Sequence, residues 1–368
     1  MLSSPYVLSF SLILTLPLLF FLLAPRILPP RIPLPPPIPI SDEVSDLTLF
    51  TRASSSSSSP LSRSRLSSPN PKLKIAFLFL TNSDLHFSPL WSRFFPKPHR
   101  RRHPLYNIYV HADPTANVTT PRGSTNTVFD SSKFIPSKIT FRASPTLVSA
   151  ARRLLATAIL DDPANAFFAL LSQHCIPLHS FHYVYNSVVT SASFDRSSFA
   201  AAYGNIRLSH KSFIEVISKD PRLWKRYVAR GRYAMLPEVP FDDFRVGSQF
   251  FVLTRKHAVM VVKDRALWRK FRMPCYRADE CYPEEHYFPT LLSMQNPDGL
   301  TGYTLTRVNW TGTTNGHPYT YKPREVSPEL IYKLRESNYS ESYLFARKFS
   351  PDCLGPLMKI TDSVIFRD

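Results

Sequence analysis

The stretch CYPEEHYFPTLL, residues 281–292, sets two adjacent carboxylates, Glu284 and Glu285, and the imidazole of His286 between prolines and an apolar run. A glutamate with an ordinary pKa of about 4.3 is mostly ionised near neutrality and accepts a proton from an attacking hydroxyl. Neighbours on a helix point about 100° apart, so only one of the two faces any given cleft. Pro283 suits a first helical turn, where acids also complement the helix dipole. General-base catalysis and dipole complementation are the two roles open to the pair.

Two further clusters carry chemistry. HADP, residues 111–114, ends an apolar run with an imidazole and a carboxylate. Asp113 there either hydrogen-bonds a sugar, ribose or base, or caps its own turn ahead of Pro114. LFARKFSP, residues 344–351, sets Arg347 and Lys348 between aromatics. No two aspartates stand two positions apart, which removes the Asp-x-Asp pattern that commonly holds a metal beside a sugar nucleotide. Chemistry on a diphosphate without a metal needs Lys or Arg in its place, a role open to Arg347 and Lys348. A surface helix with two basic residues is the alternative.

The elements that must position these groups follow from hydrophobic patterning. KLKIAFLFLT (72–81), YNIYVHADP (106–114) and AFFALLSQHCIPL (166–178) are continuous apolar runs bounded by polar residues, as in strands buried on both faces. VSAARRLLATAILDD (148–162) has helical spacing, with Val148, Leu155 and Ile159 near one face. VGSQFFVLTRKHAVMVVKD (246–264) reads as a strand running into a helix. This alternation predicts an α/β domain with a mainly parallel sheet, whose ligands bind beyond the carboxyl ends of the strands. Thr81, His111–Asp113 and Gln173–Cys175 then cluster at one edge.

The chain has 368 residues and a formal charge of +18, yet only 9 glycines, and neither GxGxxG nor GxxxxGK[ST] occurs. Phosphate-cradling glycine loops are thereby excluded. The sharpest basic cluster, PKPHRRRHP at 96–104, lies between prolines with no nucleic-acid module around it, so nucleic acid is not the expected partner. Anionic substrate or membrane accounts better for the charge.

Residues 7–24, VLSFSLILTLPLLFFLLA, are uncharged and just long enough to cross a bilayer. We expect an uncleaved signal-anchor over 7–25 behind a short tail of residues 1–6, with a cleaved signal peptide as the alternative. Residues 26–71, rich in Pro, Ser and Arg, read as a flexible stem, and 72–368 as the globular domain. Three N-x-[ST] sequons, at Asn117, Asn309 and Asn338, fit a lumenal chain. Four cysteines permit two disulfides; Cys275 and Cys281 can bridge a small loop before the glutamates, with Cys175 or Cys353 as other partners. No spacing suits zinc.

Taken in order, KIAFLFLT, YNIYVHADP, ARRLLATAILD…FFALLSQHCIPL, VGSQFFVLTR, CYPEEHYFPTLL, NWT…GHP and LFARKF resemble the core-2/I-branching β-1,6-N-acetylglucosaminyltransferase family, in particular its plant members. The resemblance covers about residues 72–355. It implies a GT-A-like, Rossmann-type α/β fold, a UDP-sugar donor (N-acetylglucosamine the first expectation), no metal or other cofactor, and inversion at the anomeric carbon. It implies that Glu285 is the general base, that Glu284 takes the variable position, and that His286 packs behind them; an exposed contact with the helix dipole is then the expectation for Glu284. Lys348, with Arg347, matches the basic residue on the donor diphosphate; Thr81, Asp113 and Arg142 fall in segments that hold the nucleotide. His317 and Arg324 both lie near the place of a second diphosphate-binding cation of animal members. Where plant members often carry an acid, Ala151 stands in SAARRLL. Trp310 and Arg232 are the candidate contacts to a glycan or glycoprotein acceptor. The expected protein is a single-pass type II Golgi membrane enzyme with a lumenal catalytic domain. A catalytically silent glycan-binding or trafficking protein of the same fold is the alternative.

Overall fold

The computed structural model describes residues 13–20, 37–56, 73–97, 104–119, 128–190, 210–313 and 316–368. The chain divides into two units, Met1–Pro35 and Pro36–Asp368. In the first, residues 13–20 are helical, and the rest of the expected anchor lies outside the described residues. No helix among the described residues is long and apolar enough to cross a membrane.

The second unit is built on a six-stranded sheet in the order β2-β1-β3-β6-β5-β7. Its strands are β1 (Lys74–Thr81), β2 (Tyr106–Ala112), β3 (Asn165–Ser172), β5 (Ser212–Glu215), β6 (Val252–Thr254) and β7 (Leu300–Gly302). β1 pairs parallel with both β2 and β3, whereas β6 runs antiparallel to β3 and β5. The mainly parallel expectation therefore holds, and the mixed α/β architecture fits a GT-A-like fold. A second sheet orders β4 (Ile176–Pro177), β9 (Phe345–Arg347) and β8 (Thr306–Val308).

Strand periodicity explains the two cores. On β1, Ile75, Phe77 and Phe79 face one apolar cluster, while Ala76, Leu78 and Leu80 face the other. The first cluster is rich in edge-to-face aromatic pairs, such as Phe77 with Phe95 at 4.9 Å and Phe79 with Trp91 at 5.1 Å. Both faces being covered, β1 can be apolar at nearly every position.

The second cluster is closed by helices α3 (Pro145–Asp161), α5 (Arg255–Lys263) and α6 (Pro283–Gln295). Ser144 caps α3 by accepting from Thr146 N–H, with Pro145 at the first helical position. The sequence suggests one apolar face for this helix; in fact even Arg152 and Arg153 are buried. The cause is helix α1 (Ile40–Ser56), which lies across α3 and buries Phe50 and Ala53. Asp46 takes two hydrogen bonds from Arg153, at 2.6 and 2.8 Å. Arg152 sits over the Phe50 and Trp268 rings and donates to Asp264 O at 2.6 Å. This corrects the reading of 26–71 as a flexible stem: 40–56 is a docked helix. Its proline- and serine-rich surroundings hid an acid and a phenylalanine placed to meet α3. Residues 57–72 lie outside the described residues.

One disulfide forms, Cys275–Cys281, while Cys175 and Cys353 are free and buried. The second bridge that an even cysteine count permits is absent among the described residues. Cys175 instead receives Ser172 N–H on its sulfur, and Cys353 donates to Tyr321 O.

Candidate active site

Helix α6 begins at Pro283, directly after Tyr282, whose backbone is left-handed at φ 36°. The Cys275–Cys281 bridge fixes the approach of the chain to this turn. From here the two glutamates diverge, as the helical angle requires. Glu285 keeps 27% of its side chain exposed and places Oε2 2.7 Å from Arg226 Nη1. Glu284 points inward and is 6% exposed. Its Oε1 accepts from Ala143 N–H at 3.1 Å, and Oε2 has no hydrogen-bond partner among the described residues. Burial, reinforced by the neighbouring Glu285 charge, pushes the Glu284 carboxyl up to about 8. The expectation of an exposed, dipole-complementing Glu284 is thus overturned. The packing that takes it out of water favours its neutral form.

His286 packs as expected. It stacks on Phe244 at 4.5 Å and donates from Nδ1 to Arg245 O at 2.7 Å, while burial pushes its pKa down to about 3. Arg226, on α4 (Leu223–Tyr227), also lies over the Tyr282 ring at 5.2 Å. Beside them Glu215, at the end of β5, is raised in pKa by burial, with Ser248 N–H bonded to it and the Glu285 charge adding to the rise. Gly247 makes this approach possible. A Cβ there would stand 2.0 Å from Glu215 O, and Gly247 N–H instead donates to Glu285 O at 2.9 Å.

Facing these acids is a group of cations. Arg142, in the turn before α3, donates to His317 Nε2 at 2.6 Å and to Gly316 O at 2.8 Å, and lies 5.8 Å from the Tyr282 ring that Arg226 also faces. Arg347, the last residue of β9, stacks on Phe250 at 4.4 Å and leaves Nε unpartnered among the described residues. Its pKa is lowered by burial, opposed by the charge of Glu285. Lys348 is lowered by burial and then by Arg347 and Arg142. His174, in the turn after β3, is pushed down to about 4 by burial, then by Lys348 and Arg347. No carboxylate lies within ion-pair distance of Arg142, Arg347 or Lys348 among the described residues. Cations left unneutralised by the protein attract anions.

Other expected residues fall differently. Asp113 accepts from the N–H and hydroxyl of both Thr115 and Thr140, at 2.6 to 2.9 Å. It is buried and caps its own turn. Thr81 ends β1 with its hydroxyl turned to the backbone of Ser83. Arg324 is exposed, whereas His317 is bonded to Arg142, so of these two only His317 joins the cationic group. Trp310 and Arg232 are exposed, and no described contact ties either to Glu285. Asn117 and Asn338 are exposed; Asn309 is half-buried and accepts from Thr311 N–H at 2.9 Å. Among the described residues no group of three or more His, Cys, Asp or Glu is placed to hold a metal ion.

Sequence reasoning missed Arg226 and Glu215, and placed His174 at the ligand edge within Gln173–Cys175 without giving it a role. Their signal was faint: an acid closing an apolar run in SFIE, a basic residue in LWKRY, a histidine in the strand-end turn SQHC. None stands at a spacing that links it to residues 285 or 347.

Comparison with known proteins agrees with this geometry. The model of the Core-2/I-Branching enzyme family matches residues 75–211 and 196–335. The chain is also 26% identical, over 328 residues covering 77% of it and 75% of the relative, to Glycosyltransferase BC10 of Oryza sativa subsp. japonica. The blocks that carry the six-stranded sheet and the glutamate pair, together with Arg142, fall inside the family match, and the chain belongs to the Core-2/I-branching enzyme family of glycosyltransferases.

Proposed function

We propose that the protein transfers a sugar, N-acetylglucosamine first among candidates, from a UDP-sugar to a glycan or glycoprotein with inversion and without a metal. The observation that carries this is the placement of the partly exposed Glu285 carboxylate opposite the uncompensated cations Arg142, Arg347 and Lys348. In this reading the diphosphate lies on the cations and the anomeric carbon between them and Glu285. The Glu285 carboxylate takes the proton of the acceptor hydroxyl, which attacks from the face opposite the nucleotide. Lys348 and Arg347 stabilise the charge growing on the departing diphosphate, and one preorganised contact of this kind contributes about 2.7–4 kcal/mol to the barrier. Burial keeps Glu284 neutral, so it does not compete as base.

For the setting we propose a single-pass type II Golgi protein with the catalytic domain lumenal. The apolar stretch at 7–24, the exposed sequons Asn117 and Asn338, and a disulfide beside the site support that reading. The test is turnover of a panel of nucleotide sugars by the purified full chain, with and without chelator. Selective turnover of UDP-N-acetylglucosamine in chelator is expected. Turnover confined to non-uridine donors, or abolished by chelator and restored by manganese, overturns it.

A further inference from the structure

Two imidazoles flank the cationic group, and their hydrogen bonds show which nitrogen of each can take up a proton. His174 Nδ1 lies 3.2 Å from Phe349 O, which can only accept, so Nδ1 carries the hydrogen and Nε2 is the nitrogen that gains or loses a proton. His317 Nε2 lies 2.6 Å from Arg142 Nη1, which can only donate, so Nε2 holds the lone pair. The His317 ring is therefore neutral in this arrangement on geometry, and burial with the neighbouring cations favours the neutral form of His174. The groups facing them are of one sign. Lys348, Arg347 and His86 act on His174; Arg142, Lys348 and Arg347 act on His317. After burial these charges are what push both rings down, and no carboxylate is among those contributions.

We propose that His174 and His317 are latent diphosphate ligands, each able to take up a proton as the donor binds. The inference rests on the reading of the cationic group as the donor site. A bound diphosphate brings two negative charges to the cations that, after burial, push the rings down, and their contribution is offset. For His317 the proton has a structural consequence. Protonated Nε2 cannot accept from Arg142, so the guanidinium is released from the ring and becomes free to fork onto phosphate oxygens. The balance is simple: protons come from solvent, no covalent bond to carbon or phosphorus changes, and they return when the nucleotide leaves. Donor affinity then rises as the lumen acidifies, by up to tenfold per pH unit for each proton taken up.

The experiment is calorimetric titration of UDP-N-acetylglucosamine into the full-length protein at pH 6 to 8, in buffers of different ionisation enthalpy. Its diphosphate is a diester that does not titrate in this range, so any proton taken up belongs to the protein. A measurable net uptake of up to two protons is expected, with tighter binding at pH 6 than at pH 8. His174→Gln and His317→Gln should each lower the uptake and flatten the pH dependence, while the glutamine at 174 can still donate to Phe349 O. Binding without proton uptake, or uptake unchanged in both variants, overturns the inference and leaves the donor reading standing. Absence of binding at every pH overturns both.

Discussion

Arg226 Nη1 rests 2.7 Å from Glu285 Oε2, so the most accessible carboxylate of the site is held by a guanidinium from a different element, α4. The contact is charge-assisted and sits on a half-sheltered edge, where such a bond both aims and anchors the acid. If Glu285 is the base, Arg226 acts through it. Glu285→Gln keeps size and hydrogen bonding but not basicity, and is expected to lower donor turnover by about 10²–10⁴-fold. Arg226→Gln should cost turnover in the native background and add little in the Glu285→Gln background. Strictly additive losses in that double-mutant cycle would show that the pair does not work as a unit.

Glu284 behaves as a buried acid, and its effect on stability has a definite sign. Its folded pKa, about 8, lies above the ordinary value of 4.5. Across that window the unfolded chain loses the proton while the folded chain keeps it, so wild-type stability falls as pH rises from about 4.5 to about 8. Glu284→Gln preserves the contact to Ala143 N–H and removes this slope, giving a variant more stable at pH 7.5 by on the order of a few kcal/mol. Urea midpoints of the two proteins at pH 5 and pH 7.5 are the measurement. A constant difference between them at both pH values contradicts the buried-acid account.

Helix α1 is held by a buried ion pair, with Arg153 and Asp46 side chains 4% and 8% exposed. Removing one partner strands the other, at a typical cost of about 3–5 kcal/mol. Asp46→Ala should therefore lower the urea midpoint sharply although residue 46 lies far in sequence from the sheet. A change below about 1 kcal/mol would mean that α1 is not part of the folded unit.

The Cys275–Cys281 bridge closes a loop of sequence separation 6 next to the glutamate turn. Loop-closure entropy for so short a ring amounts to about 2 kcal/mol. The Cys275→Ser, Cys281→Ser double variant should lose about that much stability, read in urea. Thiol titration of unreduced, denatured wild type should count the two free cysteines, 175 and 353. A count of four would remove the bridge.

In the proposed reading Lys348 does the work of a metal at the diphosphate. Lys348→Ala should reduce turnover about 10²–10³-fold, the loss typical of one preorganised charge contact. Chelator should leave wild-type turnover unchanged. Full activity of the alanine variant would move the diphosphate elsewhere.

Much of this was legible in the chain because some signals are local. Continuous apolar runs at 75–80 and 167–171 announce strands covered on both faces, since only such strands can do without polar alternation. The order of motif blocks identified the family, and the helical angle between Glu284 and Glu285 already said that they must part. What the chain could not say is which one turns inward. That was decided by the packing of α6 against the second core and by the Ala143 turn, 141 positions away, whose N–H meets Glu284. The same holds for Asp46 with Arg153, 107 positions apart, and for Glu285 with Arg226 and Arg347. Charge pairing across a fold leaves no period in the sequence, because the partners are brought together by strand order and helix docking rather than by spacing. Local chemistry fixed the inventory of acids and cations; only the tertiary structure decided which are buried, which are paired and which stand free to meet a substrate.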